Sequence, residues 1–166
     1  MFLKIFFLLF FSFYHAEAND NNELIFHNSP KKIETMNLSR LDGTNIDLKK
    51  ISNKYLIINF WATWCPPCIK EIPDLLELQE KFNNKVKLVF ISVDSSPEKV
   101  IPKFIKKNNF KNFDVFTDQN FSITKKLKVK IMPTTIIVDK DSFEIARIIG
   151  YAKWLDEAFI EKIKNL

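Results

Sequence analysis

Phe60-Trp-Ala-Thr-Trp-Cys-Pro-Pro-Cys-Ile-Lys-Glu-Ile-Pro73 holds both cysteines of the chain, Cys65 and Cys68, with two prolines between them. The residues on either side decide how the pair is held. Before it, Tyr55-Leu-Ile-Ile-Asn-Phe-Trp61 is an apolar run rich in isoleucine and aromatics. Such a run predicts a strand buried on both faces, as in parallel or mixed sheets. After it, Ile69, Ile72, Leu75, Leu76, Leu78 and Phe82 recur at spacings of three and four. That pattern predicts an amphipathic helix through Lys81, stopped at Asn83-Asn84. The cysteines therefore stand where a buried strand hands over to a helix.

That position bears on three chemistries: a redox dithiol, half of a metal site, or a structural staple. Unpaired N–H groups and the helix dipole at an N-terminus stabilise a thiolate. Cys65, at or just before the helix start and partly exposed, is the expected nucleophile. Cys68, inside the first turn and more buried, suits the resolving role. A staple gains little here, because chain-entropy stabilisation shrinks with loop size and is about 3 kcal/mol even for a loop of about 15 residues. A closed zinc site needs four ligands. The two histidines are His15, in the apolar leader, and His27, in a polar lead-in, so no metal site is assigned. Two thiolates suit Cu(I), and a Cu(I)-binding metallochaperone remains the alternative. No cofactor is expected.

The 166 residues fit one domain, with 46% hydrophobic and 27% charged residues, an ordinary globular balance. The net charge of +5 comes from lysines scattered along the chain, so no nucleic-acid partner is expected. Lys4, the apolar run Ile5–Tyr14 and Ala16-Glu17-Ala18 read as a secretory signal peptide over residues 1–18. The alternative is a retained anchor, although a spanning helix needs about 20 apolar residues. Residues 19–30 read as a flexible lead-in and 31–166 as the domain. Export implies an oxidising compartment.

Downstream, Ile33–Leu48 carries a hairpin signal around Leu41-Asp42-Gly43-Thr44. Val86–Val93, Asp114–Thr117, Thr134–Val138 and Phe143–Ile149 read as strands. Helices are expected from a Ser95 cap with Glu98 completing a capping box, over Gln119–Leu127, and over Trp154–Ile163. This order gives an α/β sandwich around a mixed sheet.

Asn59-Phe-Trp-Ala-Thr-Trp-Cys-Pro-Pro-Cys68, Glu71-x-Pro73 and Met132-Pro133-Thr134-Thr135 before an apolar strand resemble thioredoxin-fold proteins of the TlpA/ResA-like group. Gly150 and the closing helix also fit, and the match runs from about Ile33 to the C-terminus. The resemblance implies a thioredoxin-like sandwich, a central mixed sheet flanked by helices, with an N-terminal β-hairpin extension. It implies that Cys65 attacks a partner disulfide and Cys68 resolves. Trp64 would flank the exposed sulfur. Pro133 would be cis and, with the backbone of Met132, meet the substrate as an added strand. In some relatives a glutamate at the position of Glu71 tunes the thiols; an ordinary solvated first-turn carboxylate is the competing reading. Thioredoxin has a buried aspartate where this chain has Asn59, which raises interest in Glu71. Pro73 is expected inside the helix, with a kink. Related peroxidases carry T-x-x-C, whereas Thr63 lies two residues before Cys65.

The prolines bear on direction. Pro66 and Pro67 lack N–H groups that could stabilise the Cys65 thiolate, and a less stabilised thiolate makes a less oxidising disulfide. The expectation is an exported, periplasmic, monomeric reductase of disulfides in partners such as apocytochrome c or copper-site assembly proteins. A membrane thiol donor would keep it reduced. A disulfide-forming oxidase is the opposite alternative.

Overall fold

In the computed structural model, which describes residues 23–34, 36–51 and 54–166, the run Tyr55–Trp61 is an inner strand with all but Tyr55 buried. The elements in chain order are β1 (Ile25–Lys32), β2 (Asn37–Arg40), β3 (Asn45–Asp47), β4 (Tyr55–Trp61), α1 (Pro66–Lys81), β5 (Val86–Ser92), α2 (Pro97–Asn108), β6 (Val115–Thr117), α3 (Ser122–Lys126), β7 (Thr134–Val138), β8 (Phe143–Ile149) and α4 (Glu157–Lys164). The expected signal segment lies outside the described residues. No helix among the described residues is long and apolar enough to cross a membrane.

The strands form one mixed sheet in the order β1-β8-β7-β4-β5-β6-β2-β3. β4, β5 and β6 are parallel, and the remaining pairings are antiparallel. Side chains alternate along β4 because successive residues point to opposite faces. Ile57 and Trp61 join a core with Ile72, Leu75 and Leu78 of α1, Ile101 of α2 and Ile160 and Ile163 of α4. Leu56, Ile58 and Phe60 join a second core with Leu38, Val89, Phe116, Ile123 and Leu127. Asn59 falls between Ile57 and Trp61 and so shares the face that α1 covers. This is the thioredoxin-like α/β sandwich expected from the sequence.

The hairpin extension is β2–β3, turned at Gly43 (φ 83°) and docked on β6 through Ser39 opposite Thr117. Four readings are corrected. The lead-in expected to be flexible is a strand from Ile25, paired with β8. Leu24 is buried, and His27 lies 2.7 Å from a carboxylate oxygen of Glu144. Glu144 is nearly buried; burial raises its pKa, but Arg147 and His27 outweigh it and hold the carboxyl below its usual range. The polar sequence hides this strand because an edge strand needs little apolar surface. Second, no Ser95–Glu98 capping box forms. The helix starts one residue later, with Ser96 as N-cap and Pro97 in the first turn, so the spacing fails, and Glu98 accepts from Gln119 at 3.3 Å instead. Third, α3 is limited to Ser122–Lys126, where the Asp118 carboxylate accepts from the backbone N–H of Ile123 and Thr124. Fourth, α4 starts at Glu157, and Trp154 precedes it with its side chain fully buried.

Candidate active site

The site lies at the C-terminal end of β4. Cys65 is the N-cap of α1, with Pro66 and Pro67 as its first two helical residues. The first helical N–H in this turn therefore belongs to Cys68. Cys65 and Cys68 form a disulfide, S–S 2.04 Å and Cα–Cα 5.3 Å. Cys68 is fully buried, and Cys65 is only 4% exposed. The partly exposed nucleophile expected from the sequence is thus more enclosed here, because its sulfur is bonded inward to Cys68. Trp64 beside it is 65% exposed, as expected.

The Met132-Pro133 peptide bond is cis. Phe60 of β4 pairs with Thr134 of β7, so Pro133 leaves the sheet at the same end as the cysteine segment. Pro133 is buried and Met132 half-buried, while Ile131 is 56% exposed. Gly150 donates its N–H to the carbonyl of Pro133 at 2.8 Å, and its positive φ of 91° is a backbone conformation that glycine accepts without strain.

Glu71 is not a solvated first-turn carboxylate: it is fully buried. It follows Cys68 by three residues, one turn along α1. Asn59 Nδ2 donates to its Oε1 at 2.8 Å. Trp154 Nε1 and the Ala152 N–H donate to its Oε2 at 3.1 and 3.2 Å. Burial dominates these bonds and pushes its pKa up to about 7. A carboxyl poised there exchanges protons readily near neutral pH. Pro73 sits within α1 with its side chain exposed.

Sequence reasoning missed two contributors. Trp154 reaches Glu71 from 83 residues away, a contact that helical spacing cannot show. Asp94, just beyond β5, accepts from the Thr63 N–H at 3.0 Å and from the Thr63 hydroxyl at 2.7 Å, and Ser92 donates to it at 2.8 Å. It pins the loop that presents Trp64 and Cys65. A polar Ser-x-Asp closing an apolar strand was the available signal.

The AhpC/TSA family model matches residues 30–144. The thiol-disulfide oxidoreductase ResA of Bacillus cereus is 35% identical over 125 residues, covering 74% of this chain and 71% of that protein. ResA of Bacillus subtilis is 28% identical over 130 residues, covering 78% and 70%. Among solved structures, a DsbF homologue from Corynebacterium diphtheriae superposes with a TM-score of 0.74 at 23% identity, covering 92% of this chain and 98% of that one. A thiol-disulfide oxidoreductase from Bacteroides fragilis gives 0.67 at 25%, covering 81% and 98%. These structures establish the shared fold, and the sequence relatives are thiol-disulfide oxidoreductases. The chain belongs to the AhpC/TSA family as a thiol–disulfide oxidoreductase of the ResA type.

Proposed function

We propose that the protein is an exported reductase of disulfides in partner proteins, with Cys65 as nucleophile, Cys68 as resolver and Glu71 as proton acceptor. The observation that carries the direction is Pro66 and Pro67 at the first two helical positions. They withhold the N–H donors that would otherwise stabilise a Cys65 thiolate, and the buried Glu71 carboxyl adds no positive charge to do so. A poorly stabilised thiolate favours the disulfide form, which makes the dithiol reducing.

In the forward reaction the Cys65 thiolate attacks one sulfur of the partner disulfide. That S–S bond breaks, one partner sulfur leaves as thiolate, and a Cys65–partner disulfide forms. Cys68 then loses its proton to the Glu71 carboxylate and attacks the Cys65 sulfur. The Cys65–Cys68 bond forms, the second partner thiolate leaves, and two electrons have passed to the partner, whose thiolates take protons from solvent. A membrane thiol donor returns two electrons to the disulfide. Trp64, next to Cys65 in the chain, and Ile131, two residues before Pro133, are both exposed and would serve as contacts for the partner, with the backbone of Met132 accepting an extended segment as an added strand. Partners carrying a disulfide in an extended segment fit this face, apocytochrome c and copper-site assembly proteins among them. Residues 1–18 would direct export to the periplasmic side, by cleavage or as a retained anchor.

The test is insulin reduction by wild type, Cys65→Ser and Cys68→Ser. Wild type alone should turn over, and Cys68→Ser should accumulate a mixed disulfide through Cys65. Equal activity in wild type and Cys65→Ser would refute the reading.

A further inference from the structure

The charged and neutral forms of Glu71 need different surroundings. As a carboxylate it is an acceptor only, and it accepts from three donors: Asn59 Nδ2, the Ala152 N–H and Trp154 Nε1. Once protonated it carries an O–H donor, whereas the three groups that now bond its oxygens are all donors themselves. Beside it, Asn59 Oδ1 is buried with no hydrogen-bond partner among the described residues. The donor that Glu71 now uses and the acceptor it would then need are the two ends of one amide.

We propose that the Asn59 amide turns over when Glu71 takes up a proton, making Asn59 a positioning switch for the proton step. The proposal rests on the reading of Glu71 as proton acceptor for Cys68. Thr135 makes the turn feasible. In the charged state Asn59 Nδ2 also donates to Thr135 Oγ1 at 2.8 Å. After a half-turn Oδ1 occupies that place and accepts from both the Glu71 O–H and the Thr135 hydroxyl, which changes from acceptor to donor. The Ala152 and Trp154 donors keep their hold on Oε2. Each state leaves one end of the amide unpaired, so neither state is locked by a large difference in buried polar cost. The backbone cannot answer instead: Asn59 lies mid-strand, paired to Phe90 of β5 and Thr135 of β7.

Apart from Cys68, whose proton it takes, the groups that bond or act on Glu71 are neutral or lie on α1 itself. The sheet offers Glu71 the neutral Asn59, and the segment before α4 offers the neutral Ala152 and Trp154. On α1 itself, the charge acting on it is Asp74, which raises its pKa. Lys70 is held over the Tyr151 ring at 4.3 Å. When Cys68 resolves a mixed disulfide, its S–H bond breaks, the Glu71 O–H bond forms, and the Asn59 turn supplies that O–H with an acceptor. Loss of the proton to solvent reverses the turn and restores the three-donor carboxylate.

The experiment is NMR on the reduced full-length protein, titrated from about pH 5 to about pH 9 across the Glu71 range. The Glu71 carboxyl carbon reports its charge, and the NOE between the Asn59 side-chain amide protons and the Thr135 methyl reports amide orientation. The NOE should be strong where Glu71 is charged and fall several-fold where it is neutral, with the same midpoint. In Glu71→Gln the NOE should not change with pH. Asn59→Leu removes a donor to the charged form and an acceptor from the neutral form together, so it should leave the Glu71 midpoint within about one pH unit of wild type. A titrating Glu71 with a constant NOE overturns the switch alone. A Glu71 that does not titrate overturns the switch and its role as proton acceptor together.

Discussion

At the residue scale, the fate of Glu71 separates a tuning group from a surface carboxylate. Burial raises its pKa from 4.5 to about 7. The folded state therefore binds more protons than the unfolded state between those values, and stability falls as pH rises through that window. The loss is on the order of 3 kcal/mol, complete above the folded pKa. Glu71→Gln should remove this slope: urea unfolding at about pH 5 and about pH 8 should differ markedly in wild type and much less in the variant. An unchanged slope would show that Glu71 is not the titrating group. Cys65 and Cys68 were legible in the sequence because a strand-to-helix junction is a local pattern. The burial of Glu71 was not, because it depends on Trp154, which closes over it from the far end of the chain.

At the element scale, α1 was legible to its last residue because its apolar positions recur at three and four. β4 was legible because its run is apolar on both faces, as its two separate cores require. The edge strand β1 was not: His27-Asn-Ser-Pro-Lys-Lys32 is polar, and its place comes from pairing with β8 and from Glu144, not from periodicity. The proposed direction of the chemistry rests on the start of α1. Replacing both Pro66 and Pro67 with alanine restores two N–H groups at the first two helical positions. The Cys65 thiol pKa should fall and the reduction potential should rise by about 30 mV or more, each 30 mV being about 1.4 kcal/mol for this two-electron couple. Thiolate absorbance against pH, with redox equilibration, checks both. A potential that falls would contradict this role for the prolines.

At the scale of the whole molecule, the carboxyl ends of the parallel strands gather the chemistry at one end of the sheet. The edges serve stability. Removing residues 23–32 takes away β1, the buried Leu24 and the His27 contact of Glu144. Loss of the leucine alone is worth about 2–5 kcal/mol. The Tm should drop by at least roughly 4 °C, while disulfide exchange at a permissive temperature persists. A truncated protein that stays fully folded but loses exchange would place β1 in the site rather than in the scaffold. The most direct test of the central claim is the equilibrium reduction potential of Cys65–Cys68, measured against glutathione and dithiol redox buffers at neutral pH. A reductase should show a value on the reducing side, near or below the roughly −270 mV of thioredoxin. A value near the roughly −120 mV of strong disulfide-forming oxidants would contradict the claim.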